Sequence, residues 1–306
     1  MRLVIVGNGF DRFNGIKSCY SDFKNFILKN GGSNYISKME NYFPNLNANN
    51  RDNLLWSSFE DALECLEVET VISEATRGHK IDFDYAMRDT AIYEDMVEYE
   101  IQELVEDTQT YFMNWIESIQ LTKSAYPAPF IDKNDIYISF NYTMTLENKY
   151  NVPEQNVLHI HGSILKGDLI FGHGRDYYAM INSELVYEMQ AENNVINWIN
   201  ILKKPVQEVI NSNLNFWSRL SQSNINEVIV FGHSLSTIDI PYFIKVIECI
   251  GNVHWRFSVY SLKDLRTTKS FIKNQNIQSY EIFKPDSLVR GELFSLSETN
   301  KQIADL

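Results

Sequence analysis

The stretch MRLVIVGNG (residues 1–9) decides the fold. Leu3, Val4, Ile5 and Val6 form an unbroken apolar run, mostly β-branched, halted by Gly7. A run this short between turn residues reads as a strand buried on both faces, as inside a parallel sheet. Gly7-Asn8-Gly9 then supplies two positions without side chains, where backbone can approach a phosphate closely. An amphipathic segment follows, so an anion in the turn would sit near a helix N-terminus. The spacing falls short of the full dinucleotide fingerprint. Its third glycine would stand at position 12, which is Arg12, and the next glycine is Gly15. No acidic ribose-binding residue is evident about 20 positions on. A tight strand-to-helix turn without a ligand fits the same residues.

Working outward, Phe13, Ile16, Tyr20, Phe23, Phe26 and Ile27 recur at helical spacing until Gly31-Gly32 stops them. From residue 31 to 129 the strand pattern disappears. One helix is expected over 52–70, striped by Leu55, Phe59, Leu63 and Leu66, and a longer one over 89–120. The longer helix sets Ile92, Met96, Ile101, Leu104, Val105, Tyr111, Phe112, Trp115 and Ile119 against an acidic face of Glu94, Asp95, Glu98, Glu103, Glu106 and Asp107. Residues 31–129 therefore read as a helical insertion, with the acidic helix a candidate surface for a partner or a second copy. Strand patterns resume after Tyr126-Pro-Ala-Pro129, at 135–140, 156–160, 169–171, 227–231, 253–260 and 277–283. Helical segments fall on either side of Pro205 and over 238–250 and 262–274. Strands alternating with helices imply an α/β, doubly wound, mostly parallel Rossmann-like sheet, built from residues 1–30 and 130–306.

Composition narrows the partners. A formal net charge of −13 argues against a broad nucleic-acid surface and against docking on an anionic membrane. Cys19, Cys65 and Cys249 are scattered with no CxxC pair, so no zinc ribbon is evident and a reducing compartment is expected. No basic region leads into an apolar stretch at the start, and the expectation is a cytoplasmic protein.

The polar residues gather at four expected strand ends: Gly7-Asn8-Gly9, Asn141-Tyr142, His161-Gly162 and Gly232-His233-Ser234. In an open parallel sheet, ligands bind beyond the carboxyl ends of the strands at the topological switch point, so neighbouring ends would form one pocket. GNGFD, FNYTMTLE, HIHGS, IFGHG and FGHSLSTIDIPYF, in this order, resemble the AbiH family of abortive-infection proteins, which act in phage defence. A phage-derived trigger is among the partners that this resemblance implies. The same succession is similar, more distantly, to sirtuin-like NAD-consuming enzymes.

That resemblance implies an NAD pocket and an NADase activity. Gly7, Asn8 and Gly9 would cradle the pyrophosphate, Asn141 would hold the nicotinamide ribose and an incoming water, and His161 would be the catalytic base, followed by Gly162. Gly232, His233 and Ser234 would line the adenosine side. Asp11 could face the developing ribosyl cation, or simply sit in the first turn of a helix. Thr143 stands where the sirtuin pattern carries an acid, and the zinc cysteines of protein deacetylases are missing, so peptide deacylation is not expected. NAD would be substrate or ligand, with no metal.

Three rival readings use the same residues. His159, His161, His173 and His233 could approach one another around a metal, although no acidic ligand has diagnostic spacing. Gly232-His233-Ser234-Leu235-Ser236 resembles a nucleophile elbow, with Ser236 in place of the closing glycine and His254 as the one late histidine for a triad. Finally, a sensor could hold NAD or ADP-ribose in this pocket without turning it over.

Overall fold

The computed structural model describes residues 1–46, 56–80, 86–119, 128, 130–178 and 185–285. Contacts divide the chain into one unit of residues 1–18, 119–170 and 205–306, and another of residues 19–118 and 171–204.

Among the described residues, the first unit contains six strands in one all-parallel sheet: β1 (Arg2–Val6), β2 (Ile136–Ser139), β3 (Val157–His159), β4 (Glu227–Phe231), β5 (His254–Ser258) and β6 (Tyr280–Phe283). Their order is β3-β2-β1-β4-β5-β6, so the chain changes direction across the sheet between β1 and β4. This is the doubly wound α/β arrangement that the sequence pattern implies. Both faces are covered. Leu3, Ile5, Ile138, Val228 and Val230 pack with Trp217, Tyr242, Phe243 and Phe271 on one side, and Val4, Val6, Ile229 and Phe231 pack with Phe10 and Phe130 on the other. Alternate residues of one strand thus serve two cores, which is why Leu3–Val6 and Val228–Phe231 are continuous apolar runs.

Register does the positioning. Val6 pairs with both Ser139 and Phe231, and Ser139 pairs with His159. The strands therefore end level, and Asn8, Asn141, His161 and His233 each follow two residues beyond that line. The segment 169–171, expected as a strand, is not one: it leads instead into an isolated bridge between His173 and Lys203 in the second unit.

The second unit is helical, with helices Tyr20–Lys29, Ser33–Tyr42, Val68–Ala75, Ala86–Ser118 and Val186–Ile199. Its core is aromatic: Phe23 lies against Trp115 at 5.1 Å and Phe59 at 5.4 Å between ring centroids, and Phe112 stacks on Phe171 at 3.9 Å. The long helix buries Val97, Ile101, Leu104, Val105, Phe112, Trp115 and Ile116, whereas Ile92 is exposed. Part of its acidic face is engaged, since Lys38 pairs with Glu100 at 2.8 Å and Glu103 at 2.6 Å. The sequence reading opens the insertion at residue 31; the second unit begins at Cys19 and takes in 171–204 as well. The helix expected over 52–70 is a chain of short turns, 56–58, 59–62 and 63–65, followed by Val68–Ala75, and its start at 52–55 lies outside the described residues, as does most of the Pro-containing segment 126–129. No described helix is long and apolar enough to cross a membrane.

Candidate functional site

At the switch point the two glycine turns are knitted together. The Gly7 N–H donates to the Phe231 carbonyl at 3.1 Å and the Gly9 N–H to the Gly232 carbonyl at 2.8 Å. A Cβ on Gly9 would lie 2.6 Å from the Gly232 Cα, and Gly232 itself has φ +68° with its missing Cβ directed 2.4 Å from the Phe10 nitrogen. The glycines thus allow two backbones to touch, and their N–H groups serve that contact. From the β5 side, the Gly232 N–H donates to Ser258 Oγ at 2.8 Å and the Tyr260 hydroxyl to the Gly9 carbonyl at 3.1 Å. Asn8 is exposed, its amide tied to Ser18 by a donor to the Ser18 carbonyl and an acceptor from Ser18 Oγ.

Asp11 lies beneath the turn, 1% exposed. Its two oxygens accept from Thr143 Oγ1 and Thr145 Oγ1, each at 2.7 Å. Burial raises its pKa from 3.8 to about 6, against the opposing pull of the two threonine hydroxyls, His159 and Ser18. This also explains Thr143. An acid there would face Asp11, so the carboxylate at this spot comes from the β1 turn and the segment after β2 supplies the donors.

Asn141 ties β2 to β1, its Nδ2 donating to the Gly7 carbonyl at 3.0 Å. Its own carbonyl accepts from His159 Nδ1 at 3.1 Å, and His159 Nε2 lies 2.8 Å from Glu147 Oε1. His159 is therefore a buttress for Asn141, with Glu147 behind it.

His161 is 3% exposed. Its Nε2 faces Asp239 Oδ1 at 3.4 Å, and the other carboxylate oxygen, Oδ2, faces His233 Nε2 at 3.4 Å. Phe140 forms the floor, with ring centroids 5.2 Å from His161 and 4.2 Å from His233. Leu235, buried with φ +54°, sits in the left-handed region, which costs a residue with a Cβ about 1–2 kcal/mol. That conformation aims its N–H at His233 Nδ1, 2.9 Å away. Asp239 is the residue that sequence reading missed as a site member; in sequence it looks like part of a helix N-cap, and it does begin the helix Ile240–Ile250 as its N-cap.

Other candidates stand apart. Ser234 is exposed beyond the carboxyl end of β4, while His254 opens β5 at the opposite end of the sheet, bonded to Ser279 Oγ at 2.8 Å; a Ser–His triad through this pair does not form. Gly162 has φ +76° and its missing Cβ would sit 1.8 Å from the Asp168 carbonyl, so it shapes the turn after His161. His173 belongs to the second unit, where its Nε2 lies 3.0 Å from the Ile199 carbonyl and burial pushes its pKa down. Gly172 is packed there on the Leu202 carbonyl. Among the described residues, no group of three or more His, Cys, Asp or Glu is placed to hold a metal ion.

A family model described as "Bacteriophage abortive infection AbiH" matches residues 3–260. No curated protein and no solved structure matches the chain.

Proposed function

This chain belongs to the AbiH family of bacteriophage abortive infection, and from that premise we propose that its sheet unit binds NAD across the β1/β4 switch point and hydrolyses the nicotinamide–ribose bond. Loss of NAD would then be the means by which an infected cell is shut down. One observation carries this reading: the register sets Asn141, His161 and His233 level beyond the carboxyl ends of β2, β3 and β4, around the Gly7-Asn8-Gly9 turn. That is where a doubly wound sheet receives a dinucleotide.

The chemistry suits these residue types. Nicotinamide leaves a cationic ring as a neutral molecule and needs no general acid. What the protein must do is orient the ribose, tolerate positive charge and direct a water. Asn141 offers an amide to ribose hydroxyls, and His161, an imidazole, can take the proton from water or a hydroxyl. Asn8, Gly162 and Ser234 would line the side on which the phosphates and adenosine rest, and Asp11 would lie behind the turn toward the developing ribosyl cation.

The test is nicotinamide release from NAD by purified protein, alone and with lysate of phage-infected cells, beside His161→Ala and Asn141→Ala. Release by the wild type and its loss in both variants is the expected result; equal release by the variants would refute the site. A second reading, a sensor that binds NAD or ADP-ribose without cleavage, is favoured by the burial of His161, only 3% exposed, where a base would have to meet water. Saturable binding by calorimetry with no release under either condition would establish it.

A further inference from the structure

The arrangement around Asp239 determines which nitrogen of His161 can work. His233 Nδ1 accepts the Leu235 N–H at 2.9 Å, so the proton of the neutral ring is on Nε2. That Nε2 faces Asp239 Oδ2, and His161 Nε2 faces Oδ1, both at 3.4 Å. An ionised carboxylate accepts hydrogen bonds and donates none. The His161 contact is an approach and not a closed hydrogen bond, but a carboxylate oxygen repels a lone pair aimed at it and favours an N–H, which puts the basic lone pair of His161 on Nδ1.

We propose that Asp239 is a positioning residue, which holds His161 in the Nε2–H tautomer so that Nδ1 is the nitrogen that accepts a proton. The catalytic half of this inference rests on the NAD-cleaving reading; the tautomer half does not. In the step itself, water loses a proton to His161 Nδ1 as its oxygen bonds the ribose C1′ and the C1′–nicotinamide bond breaks, its electrons leaving with neutral nicotinamide. Asp239 stabilises the resulting imidazolium through Nε2–H and stays ionised.

Asp239→Asn gives a sharp test, because an amide has one acceptor and one donor end where the carboxylate has two acceptors. His233 is committed to Nε2–H by Leu235 and takes the amide oxygen. His161 is left facing the NH2, and its proton moves to Nδ1, where it blocks catalysis. In protein labelled with 15N-histidine, two-dimensional NMR is expected to show both rings as Nε2–H in the wild type. In Asp239→Asn, His161 alone switches to Nδ1–H. Turnover (kcat) falls by about 10²- to 10⁴-fold with KM little changed, the span over which general-base contributions lie. Adding His233→Leu to Asp239→Asn frees the amide to turn its oxygen toward His161, which restores the Nε2–H tautomer in the NMR spectrum. This rescue separates positioning from simple misfolding.

An unchanged His161 tautomer in Asp239→Asn overturns the proposal. So does unchanged turnover in Asp239→Asn where His161→Ala abolishes it. A tautomer that switches on substitution, in a protein whose wild type releases no nicotinamide, supports the positioning role and refutes only the NAD-cleaving reading.

Discussion

Replacing Asp11 by asparagine should remove an acid-dependent part of the sheet unit's stability, so that the variant gains on the wild type as pH rises. The Asp11 pKa is raised by burial from 3.8 to about 6, because solvent is lost and two threonine hydroxyls only partly replace it. The fold therefore binds a proton at Asp11 more tightly than the unfolded chain does. Stability linked to that proton is fully present below pH 3.8 and is lost as pH rises through about 6. A rise from 3.8 to about 6, at about 1.4 kcal/mol per pH unit, corresponds to about 3 kcal/mol. The amide of the Asp11→Asn variant carries no such proton. One threonine hydroxyl must turn to accept from that amide, and its O–H can then donate to the other threonine oxygen, 2.9 Å away. That adjustment adds a pH-independent offset. The stability of Asp11→Asn minus that of the wild type should thus climb by about 2 kcal/mol between pH 4 and pH 8, the rest of the change lying below pH 4. Urea titrations followed by hydrogen exchange of peptides covering β1 and β2, run on both proteins at each pH, isolate the sheet unit and cancel the other carboxylates. A difference that stays level across this range, or that falls with pH, would refute the assignment of Asp11 as a buried carboxylate held against its solvation.

Two further substitutions test the packing on which the site depends. Gly232→Ala places a Cβ at φ +68° against the Phe10 nitrogen, and should cost at least about 1–2 kcal/mol from the backbone alone, seen as a lower melting temperature and reduced soluble yield. Lys204, 2% exposed, pairs with Glu60 at 2.8 Å in the second unit, so Lys204→Met strands a carboxylate and should destabilise that unit by about 3–5 kcal/mol; the double change Lys204→Met with Glu60→Leu should recover much of this in thermal unfolding.

The strands are legible because burial on both faces leaves a plain mark. The run 227–231 has the same bounds in the sheet as in the sequence, and 262–274 does so as a helix. Short apolar runs say less. Residues 169–171 look like a strand end in sequence, yet Gly172 and His173 run beside Leu202–Lys204 in the helical unit, a pairing nothing local could announce. The helical stripe from Phe13 to Ile27 breaks because Gly15 takes φ +74°, and helix resumes at Tyr20. A spacing of three and four is equally served by one helix or by a succession of short turns, which is why 56–65 reads in sequence as a single helix.

Asp239 shows where the limit lies for a site. The sequence marks which residues stand at strand ends, and the register makes those ends level, so Asn141, His161 and His233 could be grouped without coordinates. Strand neighbours are about 4.8 Å apart, and β3 and β4 are separated by β2 and β1. At the sheet, the two histidine-bearing strands are therefore about 14 Å apart. Their side chains meet only because the turns after them bend inward over Phe140, and a buried carboxylate between them is tolerable only if it has partners on both sides. Asp239 thus joins the two histidines, with one carboxylate oxygen toward each imidazole at 3.4 Å. Such a junction belongs to loops from distant parts of the chain and leaves no periodicity. A loop acid shortly after a strand-end histidine, as Asp239 follows His233, is the one local sign it leaves, and that sign also fits an ordinary helix start.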